Sequence, residues 1–152
     1  MATKLKILFL CTGNSCRSQM AEGFARALKG DVIEPYSAGV EVHGMNPLAV
    51  KVMAESGVDI SKQRSKHVRD LMDIPFDFAI TLCDQANQSC PIFPGNAKRV
   101  HVGFDDPPIL AKNSKSEDEA LSFYRRVRDE IKEFVEKLPD NIMDEPQQKG
   151  GI

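Results

Sequence analysis

Apolar residues in this chain fall into short runs separated by stretches with helical spacing. LKILFL, residues 5–10, predicts a short buried strand that ends at Cys11. SQMAEGFARALKG then places Met20, Phe24, Ala25 and Leu28 on one helical face before Gly30. VIEPYSAG predicts a second strand closed by Gly39, and PLAVKVMAESG a second helix entered at Pro47 and left at Gly57. SKHVRDLM reads as a short third helix, DFAITL as a strand running into Cys83, and RVHVG as a strand running into Asp105 and Asp106. Ser116 and Glu119 form a capping box ahead of a long helix whose Leu121, Tyr124, Val127, Ile131, Phe134, Val135 and Leu138 share a face. The last stretch, PDNIMDEPQQKGGI over 139–152, has no periodicity and is expected to be a flexible tail.

Strands alternating with helices predict an α/β fold: one parallel sheet, covered on both faces, with its reactive groups at the carboxyl ends of the strands. Cys11, Cys83 and Asp106 all fall just past predicted strand ends. At 152 residues the chain is sized for one domain, taken as 1–138. Its formal net charge is −2 and its 28% charged residues are mixed in sign, which offers no basic face to nucleic acid and no acidic block. No apolar run reaches the length of a signal-peptide core or a membrane span, so a soluble, cytoplasmic monomer without membrane or nucleic-acid partners is expected. Four cysteines without an export signal then read as reduced thiols held for reactivity or metal binding, not as two structural disulfides.

The chemistry concentrates in FLCTGNSCRSQMAE, residues 9–22. A loop between a strand and a helix N-terminus aims several N–H groups at one point, and the helix dipole adds positive charge there. Thr12, Gly13, Asn14, Ser15, Cys16, Arg17 and Ser18 are therefore the expected cradle of a tetrahedral oxyanion. Gly13 and Asn14 tolerate left-handed backbone angles, and Arg17 offers a bidentate fork to two oxyanion oxygens. Cys11 lies at the floor, where positive potential favours the nucleophilic thiolate and Ser18 can donate to the sulfur. Cys16 packs locally, and its oxidation with Cys11 would protect or inactivate the site. His43, His67 and His101 show no partner in the sequence and receive no catalytic role.

These residues carry a resemblance. CTGNSCRSQMAE is similar to the phosphate-binding loop of the low-molecular-weight protein tyrosine phosphatase fold, and specifically to the thioredoxin-coupled arsenate reductases built on it. SAG, NPLAVKVMAESGVDIS, TLC, CP and GFDDP extend the likeness over about residues 5–138. The resemblance implies a flavodoxin-like sheet of order 2-1-3-4, reduction of arsenate to arsenite, and Cys11, Cys83 and Cys90 as three redox thiols. It also implies thioredoxin as reductant, phosphate or sulfate as competing oxyanions, and no organic cofactor. Cys83 would attack the Cys11 sulfur and Cys90 would take over the bond, leaving a Cys83–Cys90 disulfide. The family acid directly precedes proline, which selects Asp106, before Pro107, over Asp105.

The resemblance further implies Asn14, Glu22, Ser37 and an aspartate near SKHV as potassium ligands, but Lys66 stands where the aspartate belongs, and no metal is carried over. Two alternatives stay open. A tyrosine phosphatase would need only Cys11, Arg17 and Asp106, although DDPPIL lacks the aromatic wall that follows the acid in such enzymes. A non-catalytic oxyanion- or zinc-binding module would need neither Cys83 and Cys90 nor a positioned Asp106. Cys83 and Cys90 could otherwise be packing residues, or zinc ligands with His101 and His43, but a spacing of seven with no C-x2-C knuckle argues against zinc. The same spacing constrains the relay. Seven helical steps span about 10.5 Å, whereas a disulfide needs Cα atoms roughly 4.4–6.8 Å apart. A short helix over 84–89 is thus expected in the reduced protein, and a looped segment after oxidation.

Overall fold

The computed structural model describes residues 3–90, 93 and 97–143. Its organising element is β1 (Leu5–Cys11), in which Ile7, Leu8, Phe9 and Leu10 are all fully buried. Consecutive strand residues face opposite sides, so this run is covered on both faces of the sheet. Among the described residues the sheet has four parallel strands, β1 with β2 (Ile33–Gly39), β3 (Phe78–Thr81) and β4 (Lys98–His101), in the order β2-β1-β3-β4. This is the 2-1-3-4 order expected. From β1 the chain crosses to a neighbour on one side and returns to a neighbour on the other, which opens a crevice at the carboxyl ends of β1 and β3. Register aligns Cys11 with Gly39 and Leu10 with Thr81, so Cys11 and Cys83 emerge from adjacent strands at the same end.

Helix α1 (Arg17–Lys29) follows β1 and buries Met20, Phe24 and Ala25; Leu28, expected on that face, is exposed because the buried stretch ends at Ala25. Helix α2 (Pro47–Glu55) is capped by Asn46, whose Oδ1 accepts from the N–H groups of Leu48 at 2.9 Å and Ala49 at 3.3 Å. The third helix expected over 65–72 shrinks to a 3-10 turn at Val68–Leu71. Its first residues are extended instead, drawn to the end of β2 by a bridge between His67 and Gly39 and by Gly39 N–H donating to Lys66 O at 2.8 Å. Helix α3 (Asp84–Ser89) spans the expected segment. A single turn, α4 (Pro107–Leu110), follows Asp106 and was not foreseen.

Helix α5 (Glu117–Glu136) buries the apolar stripe read from the sequence, with Ser116 Oγ accepting from Glu119 N–H at 3.1 Å. Phe134, at the stripe's margin, meets Phe104 edge to face at 6.0 Å. The chain stays ordered past residue 138: α6 (Asp140–Met143) tucks Ile142 into the core, so the first part of the expected flexible tail is structured. Residues 144–152 of that tail lie outside the described residues. Among the described residues, no helix is long and apolar enough to cross a membrane.

Candidate active site

The loop between β1 and α1 is built so that its carbonyl groups point away from the crevice. Val40 N–H donates to Cys11 O at 3.2 Å, Glu41 to Thr12 O at 2.8 Å, His43 to Gly13 O at 3.0 Å and Asn46 to Ser15 O at 3.0 Å. Gln19 Nε2 satisfies Asn14 O at 3.0 Å. With the carbonyls occupied by residues 40–46 and Gln19, the opposite edge of the loop is left to present N–H groups. Cys16 stands at the N-cap of α1 without making a side-chain cap, so the helix N-terminus is open to an anion as well.

Asn14 is the keystone of this loop. It is fully buried and holds φ at 51°, one of the few left-handed positions a non-glycine residue accepts. Its Nδ2 donates to Ser18 Oγ at 2.7 Å and Ser37 Oγ at 3.0 Å, while its Oδ1 accepts from Gln19 Nε2 at 2.9 Å and Lys66 N–H at 2.8 Å. Ser18, having accepted from Asn14, has its hydroxyl proton free for Cys11 Sγ, 2.9 Å away. Gly13 departs from expectation. Its φ is not in the left-handed region, and it is glycine for space: a Cβ there would sit 2.1 Å from His43 Nδ1. Gly39, where β2 meets the loop, is equally constrained, since a Cβ would lie 2.8 Å from both Asn14 N and Thr12 O.

The crevice is a cavity of about 450 Å³ lined by Cys11, Thr12, Gly13, Ser15, Cys16, Arg17, His43, Cys83, Gln85, Asp106, Pro108 and Ile109. Arg17 is 8% exposed, its Nη1 donating to Phe104 O at 3.0 Å and its Nη2 lying 3.5 Å from Asp106 Oδ2. These contacts fix the guanidinium plane, and a buried fork so held is disposed to accept an anion. Asp105 points elsewhere, to Arg126 at 3.1 Å. Cys83 Sγ lies 3.2 Å from Thr12 Oγ1 and accepts from Ala86 N–H at 3.4 Å. The thiol of Cys16 is pushed well above its usual range, first by burial and then by Cys11 and Asp106, so it packs as a neutral group.

The structure thus brings eight of the expected site residues into one cavity: Cys11, Thr12, Gly13, Ser15, Cys16, Arg17, Cys83 and Asp106. Asn14 and Ser18 lie beneath it and brace the loop from below. Cys90 stands outside, half-buried at the C-terminal end of α3, with its thiol pushed up by burial. His43, Gln85, Pro108 and Ile109 line the cavity and were missed. For His43 the available signal was its spacing of two from Glu41, which places Nε2 2.7 Å from Glu41 Oε1.

A family model described as low molecular weight phosphotyrosine protein phosphatase matches residues 6–148. The chain belongs to this family. The arsenate reductase of Bacillus licheniformis is 50% identical over 138 residues, which cover 91% of this chain and 97% of that protein. The arsenate reductase of Bacillus subtilis is 52% identical over 134 residues, covering 86% and 94%. A solved structure, an arsenate reductase in the phosphate binding state, matches with a TM-score of 0.71 at 33% identity, covering 91% of this chain and 98% of that one.

The potassium site implied by likeness to members of this phosphatase family does not fit these residues. Ser37 Oγ donates to Glu22 Oε1 at 2.5 Å, and Arg26 Nη2 takes Glu22 Oε2 at 2.5 Å. Lys66 Nζ lies 4.0 Å from Glu22 Oε1 and donates to Arg64 O at 2.7 Å. Asn14 Oδ1 already accepts two N–H groups. A potassium ion placed here would meet two cationic side chains and oxygens already committed. Burial lowers the Lys66 pKa while the Glu22 carboxylate opposes that fall.

Proposed function

We propose that this protein reduces arsenate to arsenite by a three-cysteine relay, with electrons supplied by a thioredoxin-type dithiol. The observation that carries this reading is a second thiol at the oxyanion cradle: Cys83 lines the same cavity as Cys11 and is tied to the loop through Thr12. Hydrolysis of a phosphate ester has no use for that sulfur. The likeness to arsenate reductases at about half identity over most of the chain supports the same choice.

The steps balance as follows. Arsenate settles in the cradle against the loop N–H groups and Arg17, and the Cys11 sulfur displaces a hydroxyl from arsenic, forming an S–As bond while arsenic stays pentavalent. Asp106, at the cavity edge beside Arg17, is the group in reach to give the departing oxygen a proton so that it leaves as water. The Cys83 sulfur then attacks Cys11 Sγ. An S–S bond forms, the S–As bond breaks, and its electron pair leaves on arsenic, which becomes trivalent arsenite. Cys90 attacks Cys83, transferring the disulfide to Cys83–Cys90 and returning Cys11 as a thiolate. The external dithiol reduces that disulfide and is itself oxidised.

A phosphatase reading rests on Cys11, Arg17 and Asp106 alone, which share this cavity. Against it, the lining residues that follow the acid are Pro108 and Ile109, neither of which can stack on a phosphotyrosine ring. Thiols counted by alkylation before and after a single arsenate turnover, with arsenite measured alongside, separate the two. Loss of two thiols per arsenite is expected. Rapid phosphotyrosine hydrolysis with all thiols retained would replace the reductase by the phosphatase.

A further inference from the structure

We propose that His43 is a further oxyanion-binding residue, whose ring gives the bound anion an additional N–H donor and positive charge when it is protonated. This rests on the oxyanion-cradle part of the reading above and not on the reduction itself.

The placement of the ring is specified three times over. His43 N–H donates to Gly13 O at 3.0 Å, which stitches its backbone to the cradle loop. The ring fills the space beside Gly13 that a side chain there would need, with Nδ1 nearest. Nε2 is held 2.7 Å from Glu41 Oε1, and Glu41 Oε2 in turn lies 3.4 Å from Gln85 Nε2. Pinned at its backbone and at Nε2, the ring stands beside Gly13 of the loop and lines the cavity it shares with Cys11 and Arg17.

The chemistry follows from which nitrogen is occupied. With Nε2–H donated to the Glu41 carboxylate, the neutral ring leaves a lone pair on Nδ1, which repels an oxyanion. Protonation converts that lone pair into a donor and adds a unit charge. Anion affinity and ring protonation are therefore coupled, each favouring the other. Besides Glu41 on its own segment, the charged or titratable groups around the cavity are Arg17, Asp106, Cys11, Cys16 and Cys83. Gln85 from α3 is neutral. Glu41 and His43 are each about half exposed, with side-chain exposures of 53% and 50%, so the expected effect is a rim effect of several-fold and not the larger loss of a buried pair.

Sulfate is the probe, because it remains a dianion throughout the pH range measured. The Cys11→Ser background removes the reactive thiol from the cavity. Sulfate affinity of Cys11→Ser, measured calorimetrically from pH 5.5 to 8.5, is expected to fall about 5-fold as the pH rises. Adding His43→Gln, which keeps the shape and cannot be charged, should lower affinity about 5-fold at pH 5.5 and flatten the profile. Glu41→Gln, which leaves the ring but removes its anchor, should give a smaller loss in the same direction. An unchanged pH profile in the His43→Gln protein overturns the proposal and leaves His43 as packing for Gly13. If Cys11→Ser with native His43 binds no sulfate at any pH, the cradle reading fails and takes this proposal with it.

Discussion

Closing a Cys83–Cys90 disulfide has to unwind α3, and the contacts of 84–89 with the other described residues are few. The two residues flank the helix as its N- and C-caps, seven residues apart, a separation that helical rise makes too long for an S–S bond. Of the α3 side chains only Ala86 is buried, worth about 0.8 kcal/mol for its methyl group. Beside its own backbone ladder, α3 is held by Asn87 N–H to Cys83 O at 3.0 Å, Ala86 N–H to Cys83 Sγ at 3.4 Å and Arg99 Nη2 to Asn87 O at 2.6 Å. At about 1 kcal/mol each they contribute ~3 kcal/mol, and the exposed contacts to Glu41 and His101 add less than ~1. Against this, freeing six residues returns about 1 kcal/mol of backbone entropy apiece. With the helix's own backbone bonds added the two sides nearly cancel, so α3 should hold while the thiols are reduced and open when they are bridged. Hydrogen exchange on a Cys11→Ser, Cys16→Ser protein, reduced and then oxidised, should show faster exchange at 84–90 after oxidation. Arg99→Ala should speed exchange of the same amides about 5-fold already in the reduced form, since it removes ~1 kcal/mol of restraint. Equal protection in the two redox forms would refute the unwinding, and Cys90 would then need another role.

Three further outcomes are expected. Cys11→Ser should abolish arsenite formation while sulfate still binds, and Arg17→Lys should weaken binding and turnover at least about 10-fold, because an ammonium lacks the planar fork; steady-state kinetics with calorimetry checks both. Potassium titrated against sodium should leave the melting temperature and activity unchanged, given the Arg26 and Lys66 cations already flanking Glu22; a rise of several degrees specific to potassium would show that the site accepts the ion. Tyr36, whose hydroxyl bonds Glu34, has its pKa raised from 10.0 to about 12, first by burial and then by that carboxylate. Because the folded state holds this proton more tightly than the unfolded chain, its contribution is complete below pH 10 and is lost as pH rises toward 12; denaturant titrations at pH 9 to 12 should show a shallower decline for Tyr36→Phe.

Much of this molecule was legible from residue order alone. The uninterrupted run Ile7–Leu10 could only be a strand covered on both faces, and the stripe from Leu121 to Val135 could only be one side of a packed helix, because period and burial are local properties of the chain. The cradle was legible for a similar reason: a strand-to-helix loop makes an anion site from its own backbone, within residues 11–18. Where local rules met distant partners they were overruled. SKHVRDLM lost half of its helix to the bridge between His67 and Gly39, and Leu28 stands exposed beyond the buried stretch of α1 that ends at Ala25. Ile142 found a place in the core that no periodicity announced.

What only the tertiary structure decided is which distant groups share the cavity, and why Gly13 is glycine. Cys11 and Cys83 lie 72 residues apart in sequence, and their meeting depends on β1 and β3 being neighbours in register, a property of sheet topology that neither strand encodes by itself. The space beside Gly13 is claimed by a ring 30 residues further on, and Asp106 reaches the cavity because Arg17 and Phe104 hold its loop against α1. Local sequence sets torsions and periodicity within a few residues. Which side chains then compete for the same few ångströms is settled only when the sheet closes and the helices pack against it.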